Sequence, residues 1–558
     1  MKKILLILIL VIAFSTRFFL LGDILALHRD EAFLGYNAYS ILHTAKDMSG
    51  NFLPLHLQSF LYSPAGYSYF SIPFIFLFDI NSFSIRFASA LFGFLTIILL
   101  FFFVKVLFER NKYKNQLALL SAFFLSISPW HINLSRTATE NTVVTFFILL
   151  GVLLLLLYKK SGNVWLLLLS FVSFLLTMFI YQAPRAFLPL FIPIIFLILF
   201  DVKNIFRKRT SSLFLYILLI VLPVLFVLTS QNLSLRIKSL SIFNNSETGL
   251  VIHEQITIDG VQSLPIIVTR IFHNKIINYS LVSFENYVNH FSFENLFFDG
   301  GLPDRYRIPH MGLLYLFEIP LLIFALFVLF AQEKRQGILL VSWILIAPVG
   351  SALTFDDIPN LQRTLISAPI FSILSAYGLV IFYIYLKKKS FSLAKIVLVP
   401  VAFVIIYSFC YYLIQYYIQT PLYRPWYRQD GYKELVSKVN KFLPDYKYAV
   451  VTNRESAPTL FFLFYGKVSP KDFQGETKNA TMKDFDRIGF GKYKFSQEEC
   501  PVKEILDSKD GTIRLTGVKD VLYVNSGLCP PPRGNVKVLS EVKRKDNSVV
   551  FRILSLDK

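Results

Sequence analysis

The stretch FSIRFASALFGFLTIILLFFFVKVLF, residues 83–108, decides the class of this chain. Between Arg86 and Lys105 it holds no charged residue, and roughly 17–25 predominantly apolar residues cross a bilayer as an α-helix. Working outward from it, the same pattern recurs at 4–22, 115–130, 140–158, 163–180, 185–201, 213–230, 312–331, 337–354, 364–386 and 394–419. The composition agrees. Of 558 residues, 54% are hydrophobic and only 16% charged, with a mean hydropathy of +0.55. Soluble domains carry about one quarter charged residues, so a water-soluble globule is excluded. Fifty-eight Phe and 29 Tyr exclude disorder over most of the length. The expected fold is an all-α polytopic membrane protein of about eleven transmembrane helices, with a small α/β domain at the C-terminus.

The first run follows Met1-Lys2-Lys3 and has the form of a signal peptide. It lacks a small-residue cleavage site and many spans follow it, so a retained anchor is expected. The segment 64–80 is apolar but holds Pro64, Gly66 and Pro73, and is expected to lie at the membrane interface rather than to cross.

A net charge of +20 would suggest nucleic acid in a soluble protein. Here the bases follow the membrane instead. With the N-terminus in the cytoplasm, the inside segments hold 18 bases, among them Arg110, Lys112, Lys114, Lys159, Lys160, Lys334 and Arg335, against Glu109, Asp201 and Glu333. That asymmetry is the positive-inside pattern. It leaves no need for a nucleic acid partner and places the chain in the plasma membrane as a multi-pass protein.

Three outside pieces are long: 23–82, 231–311 and the tail from 420. This divides the chain into a membrane domain, 1–420, with interfacial helices in the first two loops, and an extracytoplasmic domain, 421–558. In the tail, YAVV (448–451), VLYV (521–524) and VVFRIL (549–554) read as strands, and DGYKELVSKVNKFL (430–443) as an amphipathic helix. Cys500 and Cys529 both fall there; a disulfide in an oxidising compartment and two free thiols are equally open.

Candidate chemistry gathers in the outer loops. HRDEAFLGYNAYSIL places Asp30 and Glu31 at the start of a short helix whose Phe33, Leu34, Tyr36, Ala38, Ile41 and Leu42 suit a flat position on the membrane. The helix dipole favours the carboxylate form there, and an acid pair suits a general base acting on a hydroxyl. A helix cap plus a solvated acid is an equal alternative. SPWHINLSRTATEN brings His131, Arg136 and Glu140 within ten residues. YQAPRAF offers Tyr181 and Arg185, and DDIPNLQRT offers Asp356, Asp357 and Arg363. An Arg fork suits a phosphate, although snorkelling explains any one of them as well. In 231–311, Ile277, Leu281, Phe284, Val288 and Phe291 recur at helical period, the mark of an interfacial helix packed on the spans. FFDGGLPDRYRIPHMG follows with Asp299, Asp304, Arg305, Arg307 and His310, a turn-rich cluster that is either a cover for a cavity or ordinary loop structure. No Walker loop, HExxH, GxSxG or dinucleotide fingerprint is present, which removes support for ATP-driven transport and zinc proteolysis.

These blocks, in this order over residues 1–420, resemble the GT-C glycosyltransferases, in particular the bacterial branch related to protein O-mannosyltransferases and to the lipid A aminoarabinose transferase. The blocks are the Asp30-Glu31 pair, YSPAGYSYFSIPFIFLF followed by SIRFASALFGFLTIILL, SPWHINLSRTATEN, FFDGGLPDRYRIPHMGLLY and PNLQRTLISAPIFSILSAYGL. The resemblance implies an enzyme that takes a sugar from a polyprenyl-phosphate carrier on the outer face, inverting the anomeric centre. By position, Asp30 matches the catalytic Asp of the first outer loop and Glu31 its neighbour. Glu140 stands where many relatives have Asp and, with Asp30 and Glu31, is expected among the catalytic acids. Arg136, Arg185 and Arg363 would be the donor phosphate contacts, and Tyr181, His131 and His310 would line the substrate cavity. No metal ligand set is implied, although a divalent cation is an alternative to Arg for stabilising the leaving phosphate. The acceptor is a lipid, glycan or protein. The rival from another class is a transporter or flippase of lipid-linked sugar without chemistry. A transporter would show inverted repeats and charges at mid-membrane.

Overall fold

The computed structural model describes residues 2–58, 63–200, 216–222, 225, 240–244, 246–478, 487–506, 513–530 and 536–556. These form two compact units, one of residues 1–19 and 89–415, the other of 20–88 and 416–558. The expected span at 213–230 lies largely outside the described residues.

The first unit is helical. It holds α1 (Lys2–Phe18), most of α4 (Ser82–Leu107), α5 (Lys114–Ile127), α6 (Pro129–Ser135), α7 (Glu140–Ser161), α8 (Val164–Ile180) and α9 (Pro184–Leu199). Beyond residue 245 come α10 (Ser246–Val261), α11 (Ile266–Phe272) and α12 (Lys275–Asn289), then α13 (Glu318–Gln332), α14 (Lys334–Ile346), α15 (Ala368–Lys389) and α16 (Phe391–Ile414). Among the described residues, five helical segments are long and apolar enough to cross a membrane, or six if α5 and α6 are one bent span. The 59° bend between those two has a local cause. Pro129 brings no N–H to continue α5, and the Ser128 hydroxyl caps α6 instead.

Burial orders these helices. The side chains of α15 are buried from Ala368 through Val380. At Gly378 an added Cβ would lie 2.1 Å from the Leu321 carbonyl oxygen, so only glycine lets α13 and α15 cross this closely. By contrast α16 buries only Ala394, Ile405 and Tyr412. Its Ile396, Val399, Phe403 and Ile406 point outward, as a lipid-facing helix requires.

Helix α12 corrects one expectation. Its period is as read, but Leu281, Phe284 and Val288 are exposed rather than packed on the spans. The polar face makes the protein contacts instead. Asn286 donates to the Ala352 and Thr354 carbonyls, and the Tyr287 hydroxyl to that of Leu345. Hydrogen bonds fix the inner face, and the apolar stripe is left facing outward.

The second unit contains α2 (Arg29–Thr44), α3 (Gly66–Phe78), the start of α4, and the tail. At 13 residues α3 is about 20 Å long, too short to span. The tail has α17 (Tyr432–Phe442), β1 (Tyr448–Thr452), α18 (Pro458–Tyr465), α19 (Pro470–Glu476), β2 (Tyr493–Ser496), β3 (Val521–Ser526), β4 (Val536–Lys543) and β5 (Val549–Leu556). Its sheet has the order β2-β1-β3-β5-β4. β1 pairs in parallel with β2 and β3, while β5 runs antiparallel to β3 and β4. Every residue of β3 is buried, and Val502, Val521, Tyr523 and Leu554 form an apolar core on it. Cys500 and Cys529 are joined in a disulfide.

Helix α2 differs from the flat-lying helix expected from its sequence. Phe33, Leu34, Tyr36, Ala38 and Ile41 are all buried within protein. A Cβ at Gly35 would lie 2.4 Å from Ile85 at the start of α4 and 2.7 Å from Phe464 of α18. The Tyr36 hydroxyl donates to the Val468 carbonyl, and Gln474 of α19 reaches Ser40 and the Asp47 carbonyl. The tail therefore covers the face that the sequence alone assigns to lipid.

Candidate active site

The acid pair opens α2 and its two members have different environments. His28 is the N-cap: its Nδ1 accepts from the Asp30 backbone N–H (3.2 Å), and its own N–H donates to Glu31 Oε2 (3.0 Å). This reciprocal capping box fixes the first turn. Asp30, at the second helical position, has a side chain about 47% exposed, with Oδ2 3.3 Å from His28 Nδ1 and Oδ1 3.8 Å from Arg29 Nε. The tail steadies this turn. The Arg29 backbone N–H donates to Gln429 Oε1 and its guanidinium to Ser456 Oγ, each at 2.9 Å.

Glu31 points inward. Both of its oxygens accept from Arg86 at 2.8 Å, one from Nε and one from Nη2, and each side chain is 1% exposed. The remaining donors of Arg86 reach the carbonyls of Leu21 (3.3 Å), Leu25 (2.9 Å) and Ala26 (3.0 Å). All five N–H groups of the guanidinium are thus used. Glu31 is committed to this pair, while Asp30 faces outward one residue earlier. Arg86 was not singled out from the sequence, yet it carried a signal. An Arg in the first turns of an apolar span is costly unless paired, so a buried carboxylate partner was required.

The other candidates belong to the first unit. His131 is fully buried, its Nδ1 2.8 Å from Arg17 Nη2; Arg17 also donates to the Leu125 and Ser126 carbonyls. Arg136, 2% exposed, donates to the Thr16 and Phe19 carbonyls at 2.9 and 2.7 Å. It thereby caps the end of α1, where cations are favoured. Glu140 begins α7 and is half-buried. The adjacent Asn141 is 1% exposed, and neither polar atom of its side chain finds a partner among the described residues. Tyr181 caps the end of α8, and Arg185 sends its Nε to the Met178 carbonyl (2.9 Å).

Arg363 stands in a charged cluster assembled from two loops. Its Nη1 donates to Thr354 Oγ1 (2.7 Å) and the Asp356 carbonyl (2.9 Å), with Nη2 3.4 Å from Asp356 Oδ2. The loop 299–307 is laced to it through the Leu302 and Pro359 backbones and the Leu361 N–H. Arg305 lies 3.9 Å from Asp357, and Arg307 pairs with Asp299 and Asp304. Burial, with Asp356 adding to it, raises the Asp357 pKa above the ordinary carboxylate range. His310 is exposed, in a left-handed backbone conformation.

His290 anchors this cluster and was also missed in the sequence. It is 4% exposed. Its Nδ1 lies 2.7 Å from the Asn286 carbonyl, and Nε2 accepts from the Asn360 backbone N–H at 3.1 Å. Asn360 Oδ1 in turn accepts from the Arg363 N–H (2.8 Å). Accepting at Nε2 requires the neutral ring, and burial pushes the His290 pKa down to about 4. No group of three or more His, Cys, Asp or Glu side chains suited to a metal is present among the described residues.

Residues 63–227 match the dolichyl-phosphate-mannose-protein mannosyltransferase family model. No curated protein matches the chain by sequence. The fold is shared with ArnT from Cupriavidus metallidurans, solved bound to undecaprenyl phosphate. The TM-score is 0.52 at 11% identity, covering 98% of this chain and 97% of that one. The apo form of ArnT gives 0.52 at 12%, with the same coverage. The archaeal oligosaccharyltransferase AglB from Archaeoglobus fulgidus, in complex with an inhibitory peptide and a dolichol-phosphate, gives 0.48 at 11% identity and 83% of this chain. The chain covers 63% of the length of AglB. The likeness to ArnT is one of fold and extends over nearly the whole length of both chains.

Proposed function

We propose that this chain transfers a sugar from a polyprenyl-phosphate donor to an acceptor hydroxyl on the outer face of the membrane, with inversion. The observation that carries the reading is the outward-facing Asp30 carboxylate at the start of α2, held there by the buried Glu31–Arg86 pair. The match to the mannosyltransferase model and the ArnT fold support the class.

Asp30 accepts the acceptor's proton as the acceptor oxygen forms its bond to C1 and the C1–O bond to phosphate breaks. The transition state is oxocarbenium-like. The leaving lipid phosphate is already anionic and needs positive charge rather than a proton. We assign that role to Arg185 and Arg363, with a divalent cation as the alternative source, and give Tyr181, His310 and Glu140 to the substrate surroundings. Arg136 and His131 we assign to positioning, because Arg136 donates to the end of α1 and His131 Nδ1 meets Arg17. Glu31 positions Asp30 through the first turn of α2.

The test is a purified chain in liposomes with a polyprenyl-phosphate-linked sugar and a panel of lipid, glycan and peptide acceptors. Formation of a glycosylated acceptor supports the proposal. Passage of the donor across the vesicle with no product on any acceptor would establish the flippase instead.

A further inference from the structure

A cavity of about 350 Å³ opens at the end of the helical unit where α4, α7 and α9 finish and α14 begins. Its walls include the apolar Leu107, Leu156 and Leu199. Its mouth carries Arg110, Lys159, Lys160 and Arg335, with Glu109 as the one acid among the described residues that line it. Glu109 is engaged by Lys160 and by the Lys114 ammonium at its carbonyl, so the rim keeps an excess of positive charge. The cavity is remote from the candidate phosphate contacts. Glu140 begins α7 and Lys159 stands near its end, 19 residues later, which is about 28 Å along the helix axis. That is about the thickness of the bilayer core. Arg185 and Leu199, at the two ends of α9, are about 20 Å apart by the same rise.

An apolar recess between spans, rimmed by bases at the membrane surface, matches a molecule with acyl chains and an anionic head. We propose that this cavity binds an anionic phospholipid of the leaflet opposite Glu140 and Arg185, at the far ends of α7 and α9. The acyl chains take the Leu107, Leu156 and Leu199 side, and the headgroup phosphate takes Arg110, Lys159 and Arg335. Positive-inside charge by itself attracts anionic lipid diffusely; the apolar recess beneath these bases makes a discrete site. The site does not depend on the transferase reading.

The test is native mass spectrometry of the full chain in detergent, titrated with phosphatidylglycerol or phosphatidylcholine. Lys159→Gln/Arg335→Gln removes two rim charges. Lys388→Gln/Lys389→Gln removes two bases at the end of α15 that do not line the cavity, and serves as the charge-matched control. The expected result is one phosphatidylglycerol retained by wild type and control but bound roughly 30-fold more weakly by the rim variant, at about 1 kcal/mol per base, with phosphatidylcholine unaffected. Leu199→Trp, which fills the recess without changing charge, is expected to displace the same lipid. Equal loss in the rim and control variants, or retention in Leu199→Trp with an unchanged melting temperature, overturns the proposal.

Discussion

Glu31 and Arg86, 55 residues apart in sequence, meet as a two-point ion pair sealed from solvent, with both hydrogen bonds at 2.8 Å. The pair joins the first turn of α2 to the first turns of α4, and the turn it fixes is the one that presents Asp30. A buried pair is weak evidence for net stability, but breaking one leaves an uncompensated charge. Arg86→Met is therefore expected to cost about 3–5 kcal/mol, read as a large drop in melting temperature. Glu31→Leu with Arg86→Met is expected to recover most of that stability and little of the activity. Recovery of both would show that the pair only fills space.

His290 makes stability depend on pH. Its neutral ring accepts the Asn360 N–H, and its pKa falls from the ordinary histidine value to about 4. The unfolded chain takes up the proton near pH 6.5 and the folded chain only near 4. Stability from this site is thus complete above about 6.5 and is lost as pH falls from there to about 4, by up to roughly 3 kcal/mol. A melting curve of wild type is expected to slope downward through that window, and His290→Gln to flatten it. Parallel curves would contradict the assignment.

The Cys500–Cys529 disulfide closes a 29-residue separation within the tail. Loop-closure entropy of that size is worth about 3.6 kcal/mol. Cys500→Ser/Cys529→Ser is expected to unfold the tail at lower temperature while leaving the helices intact. Circular dichroism separates the two, since helical ellipticity persists and the aromatic signal of the sheet is lost first. An unchanged transition would count against the bond.

What the sequence disclosed was local. The strands at 448–451, 521–524 and 549–554 lie within observed strands, and the helix at 430–443 contains the observed Tyr432–Phe442, because alternation and helical period are written in neighbouring residues. Asp30 at a helix start was legible for the same reason. What it hid was pairing across distance. Nothing near Glu31 names Arg86, and nothing near His290 names Asn360. The period of α12 was readable, but its orientation was not. Leu281, Phe284 and Val288 face outward because Asn286 and Tyr287 find carbonyls in chain 60 or so residues away. The burial of α2 failed to show because the cover comes from Phe464, Val468 and Gln474, more than 400 residues on.

The central claim is that Asp30 takes the acceptor's proton. The direct measurement is the transfer rate of Asp30→Asn beside wild type, with a polyprenyl-phosphate sugar as donor, and with melting temperature and lipid-phosphate binding recorded on the same preparations. The account predicts a rate lower by about 10²–10⁴-fold, with folding and binding retained. Transfer at the wild-type rate by Asp30→Asn would contradict it.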